Sequence, residues 1–192
     1  MLRIRILFAL AVCFVSYCSI GRAGTIGFTG DYDPSKWETT HFNSDGSVDT
    51  SNAPDSITLV SSDNGSFSFG STSYSIVVPE SGALYFRWSF TTEDFSAFYD
   101  PFGYFVDDNY TRVSRNNLLS QSGWRSVSVL QGQVFGFRID SLDNIVRRST
   151  VIVLKFEAVP EPTSMAAFGG AMIVSCLLAK RRRKGSAVTD LG

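Results

Sequence analysis

Cysteine is nearly missing from this sequence. Of 192 residues only Cys13, Cys18 and Cys176 carry a thiol, and all three lie in two apolar terminal stretches. The region 24–158 between those stretches has none, so it is not a disulfide-stapled scaffold and must stand on its own hydrophobic core. About 140 residues suffice for one. Histidine is scarcer still: His41, in the polar stretch TTHFNSDG, is the only one. With no cysteine beside it, a zinc site lacks ligands. A Ser-His-Asp relay around His41 has no Gly-x-Ser-x-Gly elbow to support it, and we read His41 as a surface residue. There is no phosphate loop, and nothing selects a pair of carboxylates for sugar hydrolysis. Helical periodicity is missing too, with no convincing three-turn helix between 24 and 158. Basic residues are short in the same region: 24–164 hold 9 Lys+Arg against 17 Asp+Glu, a net of −8 hidden by the whole-chain value of −1. A body that acidic repels a phosphate backbone, which excludes nucleic acid from the expected partners.

What is present is period two. In Gly82–Phe90, GALYFRWSF, the residues Leu84, Phe86, Trp88 and Phe90 share one face, while Tyr85, Arg87 and Ser89 share the other. That is a strand with one core-facing side. Ser126–Val129 alternates as well, and Phe135, Phe137 and Ile139 make a third such face after a Gln131-Gly132 turn. Thr150–Phe156, TVIVLKF, is nearly continuous and predicts a central strand buried on both sides. Weaker strands are expected at Ile57–Val60, Phe67–Phe69, Tyr74–Val78 and Tyr104–Val106. Many short strands between Gly/Asp/Asn turns point to an all-β fold, an antiparallel β-sandwich or jelly roll over 24–158.

The two ends read as addresses. Residues 1–23 carry Arg3 and Arg5, a ten-residue apolar run Ile6–Val15, and Gly21-Arg22-Ala23 before Gly24. This is the pattern of a signal peptide cleaved between Ala23 and Gly24 by signal peptidase after passage through the secretion translocon. At the other end, 165–179 holds no charge and is followed by Lys180, Arg181, Arg182, Arg183 and Lys184. As a helix those fifteen residues span roughly 22 Å, a marginal or temporary crossing of a hydrocarbon core of about 30 Å. The basic block acts as a stop-transfer signal, keeping 185–192 as a cytoplasmic polar tail and the acidic body outside. The expected localisation is therefore single-pass membrane, at least transiently, then cell surface or extracellular matrix. Val159-Pro160-Glu161-Pro162 lies just before the span, where two prolines hold the chain extended. Such a segment serves equally as a protease substrate or as a stiff spacer.

Pro160-Glu161-Pro162, the short Gly/Ala-containing apolar segment and the Arg181-Arg182-Arg183 cluster together resemble the PEP-CTERM sorting signal of Gram-negative bacteria, a segment also labelled an ice-binding protein C-terminal domain. The resemblance covers 160–184 and implies an exosortase-type membrane peptidase as partner, processing near Val159-Pro160-Glu161-Pro162, and delivery to the surface or to an extracellular polysaccharide. The body is similar to a recurring group of PEP-CTERM proteins through Trp37, Asp45-Gly46-Ser47-Val48, the Trp88 strand, Tyr99–Tyr104 and Phe135–Ser141. That second resemblance implies a sandwich somewhat like CUB domains and brings no activity with it.

Among ligands, calcium suits the oxygen-rich turns best, with Asp100, Asp107, Asp108, Asp140 and Asp143 as its candidates. No EF-hand spacing occurs, and ordinary solvated turns explain the same residues. Apart from that, no cofactor is expected. Trp37, Tyr99, Tyr104, Tyr110 and Trp124 fall outside the clearest core runs, where they either stack on sugar rings or pack inside. The expected function is a non-enzymatic surface or matrix protein, structural, adhesive or polysaccharide-associated. The competing reading is a small secreted hydrolase acting on extracellular glycans.

Overall fold

The computed structural model describes residues 24–161. Alternation of apolar and polar residues in the long strands determines which side of each faces inward. In chain order they are β1 (Thr25–Ile26), β2 (Glu38–Phe42), β3 (Ser47–Asp49), β4 (Ser56–Val60), β5 (Gly70–Val77) and β6 (Gly82–Thr92). They continue with β7 (Phe102–Val106), β8 (Asn109–Arg112), β9 (Ser120–Val129), β10 (Val134–Ser141) and β11 (Ser149–Pro160). Two antiparallel sheets result. Sheet A has the order β3-β4-β11-β6-β9, with β1 also paired to β11, and sheet B has the order β2-β5-β10-β7-β8.

The two inner faces meet in an aromatic core. Leu84, Phe86, Trp88 and Phe90 of β6 and Val151, Val153 and Phe156 of β11 point inward from sheet A, against Phe135, Phe137 and Ile139 of β10 in sheet B. Phe86 and Phe137 meet edge to face, with ring centroids 5.0 Å apart. Burying each such ring stabilises the fold by about 2–3 kcal/mol. Trp37 joins them. Asp33 accepts a hydrogen bond from the Ser35 amide and tightens the turn that leads to it, so that Trp37 lies between Tyr74 at 4.9 Å and Phe137 at 5.8 Å, both stacked. Its indole N–H donates to the Tyr32 carbonyl. Trp37, which lies outside the clearest apolar runs of the sequence, is thus a core residue.

Three strand expectations need adjusting. Phe67–Phe69 is loop, with Phe67 in the left-handed region at φ 55°. β11 is central, between β4 and β6, but it is not buried on both sides, since Ile152 and Val159 face solvent. β9 is much longer than the alternation of Ser126–Val129 alone announced.

The single-pass architecture is corrected as well. Crossing a membrane takes a helix of about 20 largely apolar residues, and no helix among the described residues is long and apolar enough to do so. The expected membrane localisation, and the membrane-side partners inferred with it, are therefore not carried by this architecture. The segments assigned to the signal peptide (1–23, with Ala23), the span (165–179), the Lys180–Lys184 block and the tail (185–192) lie outside the described residues. Val159 and Pro160 close β11, opposite Ala83 and Gly82. The Glu161 amide then donates to the Ser81 carbonyl. Pro160 is tolerated there because it lies past the reach of β1, which pairs only with Ala158 and Glu157, so the sheet does not need an amide from it on that side.

Candidate functional site

The outward face of sheet A is the surface where polar, charged and aromatic side chains converge without using one another up. Its centre is set by the pairing of β6 with β9, which runs from Gly82 opposite Val129 to Thr91 opposite Ser120 without a bulge. Residues directly opposite point to the same side. Arg87 therefore stands beside Trp124, Tyr85 beside Ser126, and Ser89 beside Ser122, all away from the core. The residue before Trp124 is Gly123, and a Cβ there would press on the indole of buried Trp88. Gly123 lets the core tryptophan fill the space under β9, and the next residue presents the second tryptophan to solvent. Trp124 is 58% exposed and Tyr85 39%.

On the other side of β6, β11 places Leu154 beside Arg87 and Glu157 beside Tyr85. An extra residue between these pairs forms a bulge, with Lys155 exposed at φ 54°. The bulge keeps Phe156 in the core while Glu157 returns to the outer face. Arg87 consequently has Trp124 and Leu154 as its lateral neighbours and no carboxylate. It makes no ion pair or hydrogen bond among the described residues.

The outward face of sheet B is organised differently. Arg138 on β10 is paired with Asp140, and its guanidinium lies 5.0 Å from the ring centre of Tyr110 and 5.4 Å from that of Phe69. Glycines provide the floor for the rings: a Cβ at Gly136 would collide with Phe105, and one at Gly103 with Tyr110. Burial raises the Asp140 pKa, opposed by the bond and charge of Arg138. Burial also raises the Tyr110 phenol, with Asp140 adding to the effect.

The remaining sequence candidates are dispersed. Asp100 is 1% exposed and accepts hydrogen bonds from Ser61 and Ser149. Burial pushes its pKa up to about 6 against the opposing effect of these serines and Ser141. Asp107 holds the turn before β10, accepting from the Val134 amide and the Gln133 side chain. Asp143 accepts from the Ile145 amide, and Asp108 is exposed. No group of three or more His, Cys, Asp or Glu among the described residues is placed to hold a metal. His41 is exposed on the edge strand β2. Of the aromatic candidates, Trp37 is in the core, Tyr104 packs against it, Tyr110 lies beneath Arg138, and Tyr99 and Trp124 stay exposed. Sequence reading put Tyr85 and Arg87 on the outward side of their strand, but only the pairing with β9 adds Trp124 to them.

No family model matches the chain, and no curated protein matches it. The partners drawn from the sorting resemblance (translocon, signal peptidase and exosortase-type peptidase) therefore have no family evidence, and no membrane-crossing helix among the described residues, to stand on. Solved structures do show similarity. A family 35 carbohydrate-binding module from Clostridium thermocellum is 12% identical, covering 73% of this chain and 100% of that chain, with a TM-score of 0.38. The K1 cleaved adhesin domain of Lys-gingipain from Porphyromonas gingivalis is 13% identical, covering 73% and 100%, with a TM-score of 0.43. The CBM22-1 xylan-binding domain of Paenibacillus barcinonensis Xyn10C is 14% identical, covering 73% and 99%, with a TM-score of 0.40. At these identities and TM-scores the likeness assigns no ligand to this chain.

Proposed function

We propose that this chain is a non-catalytic binding domain that holds an extracellular polysaccharide on the outward face of sheet A. The observation that carries the reading is the exposure of Trp124 and Tyr85 at diagonal positions of adjacent strands on one regular sheet face. A large ring left in water on a rigid strand forgoes burial energy of about 2–3 kcal/mol, which a stacked sugar ring recovers. Around them Ser89, Ser122 and Ser126 offer hydroxyls, and Glu157 accepts from sugar hydroxyls. Strand-borne residues hold this geometry before the ligand arrives, which lowers the ordering cost of binding. Two of the carboxylates with raised pKa values have structural partners, since Asp100 is enclosed by serines and Asp140 is paired with Arg138.

Affinity electrophoresis through gels containing individual soluble polysaccharides tests this. The wild-type chain is expected to be retarded by at least one of them, and Trp124→Ala and Tyr85→Ala to lose most of that retardation while melting as the wild type does. Equal retardation of the wild type and Trp124→Ala would place the binding elsewhere, and no retardation by any polymer would refute the reading.

A further inference from the structure

Arg87 sits at the centre of the sheet A face without a counter-ion among the described residues, and this bears on which polysaccharide the face accepts. Its lateral neighbours are Trp124 and Leu154, one aromatic and one aliphatic. The nearest carboxylate along these strands, Glu157, stands opposite Tyr85, and no ion pair joins it to Arg87. Lys155, exposed at the adjoining bulge, is likewise unpaired among the described residues. The body around it carries a net of −8. A local positive centre inside an acidic body does not gather polyanions from a distance. It discriminates at contact range.

Resting on the reading of this face as a polysaccharide site, we infer that its ligand is a carboxylated polysaccharide, a polymer containing uronic acid residues, and that Arg87 is the residue that selects it. The planar fork of a guanidinium matches a carboxylate through two parallel N–H···O bonds. On this face Trp124 and Tyr85 lie close enough to Arg87 for one chain to stack its rings on them while a carboxylate meets the fork. Charge and stacking then act on the same ligand. Arg87 thereby differs from Arg125 on β9, whose guanidinium already donates to the Trp124 carbonyl.

The test compares polymers that share a backbone and differ in charge: polygalacturonate against its fully methyl-esterified form, with alginate as a second carboxylated chain and a sulfated galactan as a different anion. The wild-type chain is expected to bind polygalacturonate or alginate at least tenfold more tightly than the methyl ester. Arg87→Gln should abolish that preference, so that acid and ester bind the variant alike, and Arg87→Lys should keep only part of it. Competition by free galacturonate, and none by galactose, is the matching result. Equal binding of acid and ester by the wild type overturns the inference. So does an Arg87→Gln variant that keeps the preference, or binding confined to the sulfated polymer. If binding that depends on Trp124 persists without any preference for free carboxylate, Arg87 loses its role and the polysaccharide site stands. If no polymer, charged or neutral, is bound, both readings fall. Arg87 is exposed, and an unchanged thermal melt of each variant separates loss of binding from loss of fold.

Discussion

Each sheet carries an arginine near the middle of its outward face, and the two are used in opposite ways. Arg138 of sheet B is paired with Asp140 and held between Tyr110 and Phe69. Arg87 of sheet A has rings and aliphatic groups nearby, but no partner for its charge among the described residues. On sheet B the aromatic rings lie down over glycines. On sheet A they stand in solvent. One face has satisfied its own chemistry, which makes it structural. The other has left its chemistry open, and an open arginine beside an exposed tryptophan is where a ligand gains most.

The contrast breaks most sharply at Arg138. Arg138→Ala leaves Asp140 buried without its partner and is expected to cost about 3–5 kcal/mol in urea denaturation, whereas Arg87→Ala is expected to change stability by no more than about 0.5 kcal/mol. Equal costs at the two positions would erase the distinction. Next in size is Asp100, which joins the approach to β7 in sheet B to Ser61 and Ser149 at the ends of sheet A strands. Its folded pKa of about 6 lies above its ordinary 3.8. Between those values the native state retains a proton that the unfolded chain has released, so this group's contribution falls as pH rises from about 4 to about 6 and is constant above. The full change is roughly 3 kcal/mol. Asp100→Asn should abolish it, so that the stability of the variant relative to wild type rises across that interval; a constant difference would contradict the assignment. Gly136→Ala should cost about 1–3 kcal/mol, because the new methyl displaces the Phe105 ring. The smallest stability change is expected at Trp124→Ala, within about 0.5 kcal/mol in the same denaturation, together with loss of polysaccharide retardation.

Much of this division was legible residue by residue, and less of it pair by pair. The alternation in GALYFRWSF fixed which side of β6 holds Phe86 and which holds Tyr85 and Arg87, because a strand's period leaves only those two sides. That Trp124 joins Tyr85 could not be read, since it depends on a register between segments more than thirty residues apart. Aromatics in polar surroundings were legible only in part: Trp37, left open between core and surface, is stacked in the core by Tyr74 and Phe137, while Phe67 and Phe69 lie in loop rather than strand. Acidic turns were visible as composition, yet their use was not. Asp107 caps backbone and side-chain donors, Asp100 takes serine hydroxyls and Asp140 takes Arg138. The apolar run TVIVLKF predicted burial on both sides because it shows no polar alternation. In the structure Ile152 and Leu154 contribute an aliphatic border to the open face instead.

The three tryptophans allow the central claim to be tested in a single titration. Trp37 and Trp88 are 8% and 3% exposed, so Trp124 is the one whose fluorescence a solute in water can quench. With polygalacturonate added, iodide quenching is expected to fall toward that of a Trp124→Phe variant, which should itself be insensitive to the polymer. Quenching that stays unchanged at saturating polymer, with binding demonstrated by electrophoresis in the same buffer, would contradict the account by placing the ligand away from the open face of sheet A.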